Sequence, residues 1–178
     1  MLVDLKKQIF QSLPKSVTIN NTVFDTWVDY ADRINVSEKL KNYPLVATLR
    51  YFADRRDERH SPANQLFDKA VVDPDIVYTW GERAQITLSM NVHAKGDVTL
   101  TAADMVDAYM DELLIWYLRD LPGIEGIEVV GRSDINDLTY LTDGKTVRRQ
   151  LDVFIRYGIE YQETVTTIET VEHTTEVN

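Results

Sequence analysis

The chain contains no cysteine, which removes disulfides, Cys-ligated zinc and thiol nucleophiles from consideration and leaves the redox compartment unreadable. Basic residues are outnumbered: 19 Lys and Arg stand against 29 Asp and Glu, a formal net charge of -10. A broad DNA-binding face needs clustered Lys and Arg to neutralise phosphates, so that class is disfavoured. No apolar run approaches the roughly 20 residues that cross a bilayer. The opening MLVDLKKQIFQSLP lacks the basic flank, apolar block and small-residue cleavage site of a signal peptide. A soluble protein outside conventional secretion, with no membrane partner, is expected.

The usual chemical motifs are missing too. There is no Gly-x-Ser-x-Gly elbow and no dinucleotide-type glycine fingerprint. Asp143-Gly-Lys-Thr146 imitates the end of a phosphate loop, but Thr139 stands where the upstream glycine belongs, and the stretch reads as a hairpin turn. Asp134-Ile-Asn-Asp137 lacks the glycine and the terminal glutamate of a calcium loop. His60, His93 and His173 are far apart and show no zinc spacing. No catalytic, cofactor-binding or metal-binding residue is therefore assigned.

What is present centres on Thr99 to Leu121, TLTAADMVDAYMDELLIWYLRDL. Thr99 or Thr101 can cap a helix whose first turns carry Asp104 and Asp107, and Leu121-Pro-Gly123 stops it. Asp104, Asp107 and Asp111 fall at i, i+3 and i+7, so their carboxylates share a face. A solvated helix face is the first reading; a small enzyme using these acids to hold a divalent cation is the competing one. Leu113 to Leu118, LLIWYL, is apolar all round and must be covered on every side. One sheet covers one face, so a second subunit is expected on another.

Around this helix the pattern is regular. Leu2, Leu5, Ile9 and Leu13 form one stripe of a short opening helix ending at Pro14. Asn20-Asn21, between Val17-Thr-Ile and Thr-Val-Phe24, signals a hairpin. Residues 25–42 are open between a short helix and an irregular crossing. Leu45 to Phe52 is apolar on both phases, as an inner strand would be. The charged stretch from Ala53 to Pro62 reads as part of a long solvated loop reaching residue 75. Between Ile76 and Val92, the residues Ile76, Tyr78, Trp80, Ala84, Ile86, Leu88, Met90 and Val92 are all even-numbered, and a hairpin at Gly81-Glu82 would scramble that parity. One long strand with a bend or bulge at Gly81 preserves it. Ile124 to Val130 predicts a further strand, and Asp143-Gly144 a hairpin setting Tyr140 opposite Val147 and Leu138 opposite Arg149. Val147, Leu151, Val153, Ile155 and Tyr157 share one buried phase.

Residues 159–178 hold five glutamates, six threonines and no Lys or Arg. They predict either a frayed end or a strand added to a neighbour's sheet. The fold expected is α+β: a mostly antiparallel sheet with one main helix packed on it, a short N-terminal helix and an extended C-terminal tail. Residues 1–158 would form one domain and 159–178 the extension. Leu114, Ile115, Trp116, Leu118, Val165, Ile168 and Val171 are the candidate subunit-interface residues.

In order and spacing of elements the chain resembles the tail terminator proteins of long-tailed, lambda-like bacteriophages. The resemblance is carried by LVDLKKQIFQSL, VTINNTVFDTW, YPLVATLRYF, ERAQITLSMNVHA, ADMVDAYMDELLIWYLRDLPGIEGI and VRRQLDVFIRYGIEY, most of residues 1–161. It implies a non-enzymatic virion protein, a ring, usually hexameric, that caps the head-proximal end of the tail tube and docks the neck. Implied partners are further copies of the chain, the tail tube protein and a neck or head-closure protein, after assembly in the host cytoplasm. DNA would pass an acidic lumen without specific binding. Neighbouring readings are another neck, tail-completion or baseplate protein, and a cellular adaptor binding an extended peptide at a sheet edge.

Overall fold

The computed structural model describes residues 2–56, 65–72, 75–95, 101–142 and 146–166. Helix α1 spans Leu2–Ser12 and buries Leu5 and Ile9, the stripe expected of it. Strands β1 (Ser16–Ile19) and β2 (Thr22–Tyr30) pair antiparallel through Asn20 and Asn21, both at positive φ of 48° and 63°. Asparagine tolerates this conformation because its short polar side chain bonds locally.

The open stretch after Asp25 resolves into the rest of β2 and a single turn of helix, α2 (Val36–Lys39), whose first turn is capped by Asn35. Trp27 packs on Tyr43 at 5.1 Å, and the Lys39 ammonium lies 4.0 Å from the Trp27 ring. The crossing returns the chain as β3 (Leu45–Arg56), parallel to β2 with Val28 opposite Ala47. β3 lies between β2 and β5 (Asp75–Ala94), and Leu45, Val46, Ala47, Thr48 and Leu49 are all buried, as an inner strand requires.

The 53–75 stretch is not all loop. β3 continues to Arg56, and Gln65–Val72 forms β4, antiparallel to the start of β5. The run of charge conceals β-formers that have a partner strand in β5. β5 itself is continuous over 20 residues, so the parity argument holds. The irregularity expected at Gly81 falls instead on β4, between Leu66 and Asp68.

Helix α3 (Ala102–Arg119) follows, then a 3-10 turn over Leu121–Gly123. β6 (Ile127–Arg132), β7 (Asn136–Asp137) and β8 (Val147–Thr166) complete the sheet, with β6 and β7 antiparallel to β8. Two details differ from the expected hairpin. Thr139–Leu141 is a 3-10 turn, and Asp137, not Leu138, is opposite Arg149. The Asp137 carboxylate accepts from the Thr139 N–H, and the Thr142 hydroxyl bonds to Thr139 and Thr146 carbonyls, so side chains close the turn locally. The Asp143-Gly144 turn lies outside the described residues.

The chain divides into two compact units. The first holds Met1–Arg55 and Gln85–Tyr157, with strand order β1-β2-β3-β5-β8-β6. The second holds Arg56–Ala84 and Gly158–Asn178, and in it β4 pairs with the start of β5. The core of the first unit lies under α3. Tyr109 and Leu113 pack with Leu13, Val28, Ala47, Leu49 and Met90, leaving no room for water. Ile86, Leu88, Val92, Leu151, Val153 and Ile155 are fully buried, and each large apolar side chain so placed contributes about 1.5–3 kcal/mol.

Candidate assembly surface

The start of α3 is fixed by its own first turn. The Thr101 hydroxyl accepts from the Asp104 N–H at 3.1 Å, while the Asp104 carboxylate accepts from the Thr101 N–H at 3.2 Å. Asp107 pairs with Arg149 at 3.4 Å, and Arg149 also reaches Asp137 at 2.7 Å, tying the helix to β7 and β8. Two of the three acids on this face are thus engaged structurally. Among the described residues no three His, Asp or Glu side chains gather as a metal-binding group.

The end of α3 is different. Trp116 is 1% exposed and its indole N–H donates to the Ser12 hydroxyl at 2.9 Å. Two turns earlier, the Tyr109 hydroxyl donates to the Pro14 carbonyl at 2.7 Å, so α1 and the residues after it clamp one side of α3. Burial, with the charge of Glu112 adding to it, raises the Tyr109 pKa and keeps the phenol a donor. On the other side Ile115 is 45% and Leu118 73% exposed, with Leu114 half-buried. Of the candidates on this helix, Leu114, Ile115 and Leu118 form an accessible stripe, whereas Trp116 faces the core of its own subunit.

The second unit carries its own apolar face. In β4 and β5, Leu66 is opposite Trp80, Lys69 opposite Tyr78 and Val71 opposite Ile76, and direct partners share a face. The Trp80 indole N–H donates to Glu163 at 3.2 Å, which places the Glu163 phase of β8, with Ile159, Tyr161 and Val165, on the same side. Leu66, Val71, Ile159, Tyr161 and Val165 are all exposed there. Val165, a sequence candidate, therefore sits in an apolar surface, while Ile168 and Val171 lie outside the described residues. Leu66 and Val71 lie on β4, inside the stretch whose charge predicts a loop. The signal that could have found them is the run Leu66-Phe67 and Ala70-Val71-Val72 just before Asp73-Pro74.

Gly81 explains how this unit closes. A Cβ there would lie 2.5 Å from the Ile159 carbonyl oxygen and 2.7 Å from the Phe67 ring. The glycine serves close approach of backbone to backbone, not a bend in its own strand.

His93 is half-buried on β5, and its pKa is lowered to about 4, by burial first and by the Arg148 charge second. Arg148 is held by the Asn91 side-chain oxygen at 2.7 and 3.0 Å. Because the unfolded imidazole titrates near 6.5, the unfolded chain binds the extra proton between about pH 6.5 and 4. Stability is therefore expected to fall as pH drops through that window. Melting at pH 7.5 and 5 should show it, and His93→Gln should reduce the difference; equal pH dependence in both proteins would contradict the assignment. His60 and His173 lie outside the described residues.

No helix among the described residues is long and apolar enough to cross a membrane. No curated protein matches the chain. A solved structure with a similar fold is the sheath/tube terminator, in its extended state, of PVC, an extracellular contractile injection system. The match has a TM-score of 0.55 at 12% identity, covering 100% of this chain and 64% of that one. The family described as phage neck terminator protein matches residues 10–178. With nearly the whole sequence inside that span, on the α+β fold just described, the chain belongs to the phage neck terminator protein family.

Proposed function

We propose that copies of this chain join side by side into a closed ring, six by the resemblance, that caps the head-proximal end of the tail tube. The ring stops tube growth and presents a docking surface to a neck or head-closure protein. It assembles in the host cytoplasm, performs no chemistry, and lets DNA through an acidic lumen that gives phosphates no purchase. The observation that carries this reading is the apolar stripe at the end of α3, Leu114, Ile115 and Leu118, which the subunit's own fold leaves accessible. A second apolar face, with Tyr161 and Val165, supplies a further contact surface. Rings need such heterologous patches, because each subunit meets its neighbour with a different surface.

The test is genetic. Phage lacking the protein should make tubes of uncontrolled, excessive length without heads; tubes of normal length with only head joining lost would assign it to a later neck step. At residue level, Ile115→Glu with Leu118→Glu should abolish self-association while lowering subunit stability by less than about 1 kcal/mol, since exposed substitutions cost little. Gel filtration and thermal melting would check both. Unchanged association would place the interface elsewhere.

A further inference from the structure

Four of the chain's 19 Lys and Arg line one aromatic groove. Between α1 and the end of β2 lies a cleft of about 470 Å³ lined by Val3, Lys6, Lys7, Phe10, Tyr30 and Arg33, with Asp32 at its side. An adjoining cleft of about 420 Å³ adds Arg50 and Tyr51 across β3. The rings form a continuous floor: Phe10 stacks on Tyr30 at 5.3 Å, and Tyr30 tilts against Tyr51 at 6.3 Å. Two cations stand on that floor: Lys6 lies 5.0 Å from the Tyr51 ring and Arg33 4.8 Å from Tyr30. Rings position these cations without neutralising them, so their charge stays available to an anion.

The complementary segment is in the same sequence. Residues 167–178, TIETVEHTTEVN, carry Glu169, Glu172 and Glu176, no Lys or Arg, one histidine at 173, and the apolar Ile168 and Val171. Twelve residues follow Thr166, an extended reach of about 40 Å. We propose that this acidic segment of a second copy of the chain docks in the groove of the first, its glutamates meeting Lys6, Lys7, Arg33 and Arg50 and its aliphatic residues meeting the rings. The inference rests on the side-by-side assembly proposed above and names one contact that joins the copies.

Full-length protein labelled with nitrogen-15 is mixed with unlabelled protein, assembled, and coupled with a water-soluble carbodiimide, which joins amines to carboxylates at zero length. Cross-links from Lys6 or Lys7 to Glu169, Glu172 or Glu176 should appear with mixed isotopes, hence between copies. Charge reversal at Lys6, Arg33 and Arg50 to glutamate should weaken self-association about ten-fold. Reversal of Glu169, Glu172 and Glu176 to lysine should do the same, and the two sets combined should restore association. Full-size oligomers without these cross-links, links confined to single copies, links in purified tails to a different tail protein, or no effect of either set of reversals would overturn the docking and leave the ring standing. Absence of any oligomer, alone and on tails, would overturn both.

Discussion

Replacement of Trp116 by alanine is expected to destabilise the subunit by about 3–5 kcal/mol, or roughly 6–20 °C in melting temperature for a chain of this size. The indole is 1% exposed, and its N–H is satisfied by Ser12. The substitution removes the largest side chain of the α1–α3 contact, opens a cavity that surrounding helices cannot fully close, and leaves the Ser12 hydroxyl without its donor. Urea or thermal unfolding measures the loss directly; a cost under about 1 kcal/mol would show that the site collapses or that the packing is otherwise. Whatever fraction remains folded should still self-associate, because the exposed large apolar side chains of this helix are Ile115 and Leu118.

Gly81→Val is the second large effect. A Cβ at this position would stand 2.5 Å from the Ile159 carbonyl oxygen, and a backbone oxygen cannot swing aside as a side-chain tip can. Overpacking of this kind costs about 1–3 kcal/mol, and the upper end is expected here because a β-branched residue adds two methyls to the clash. The damage should be confined to the second unit. Hydrogen exchange should quicken by about a hundred-fold in residues 75–81 and 158–166, with Ile86 to Val92 unaffected. Unchanged exchange in the first two segments would mean that the strands do not approach as closely as described. Gly81→Ala should give a weaker form of the same result.

Much of the fold was legible because side-chain parity leaves few alternatives. The even-numbered residues from Ile76 to Val92 require one long strand, and β5 is that strand. Asn20-Asn21 is a turn because few other residues accept two successive positive φ angles. Thr101 with Asp104 is a capping box readable from its spacing. β4 was hidden because Leu66 to Val72 has no core of its own to impose alternation; its strand identity comes from pairing with β5. The turn at 139–141 was misread because Asp137 and Thr142 close it through side-chain bonds that a turn dipeptide does not report. On the candidate surface, sequence recognised that LLIWYL is too apolar for one sheet face. It could not rank Trp116 against Leu118, since that depends on where Ser12 and Pro14 bring α1 against the helix.

A closed ring of copies of this chain, as proposed, has a mass and an outline that can be read directly. The most direct measurement is the mass and end-on shape of the assembled protein, by light scattering with negative-stain imaging, in solution and on purified tubes. A discrete ring is expected, its mass a fixed small multiple of 20.5 kDa, lost on Ile115→Glu with Leu118→Glu. A monomer both in solution and at the tube end would contradict it.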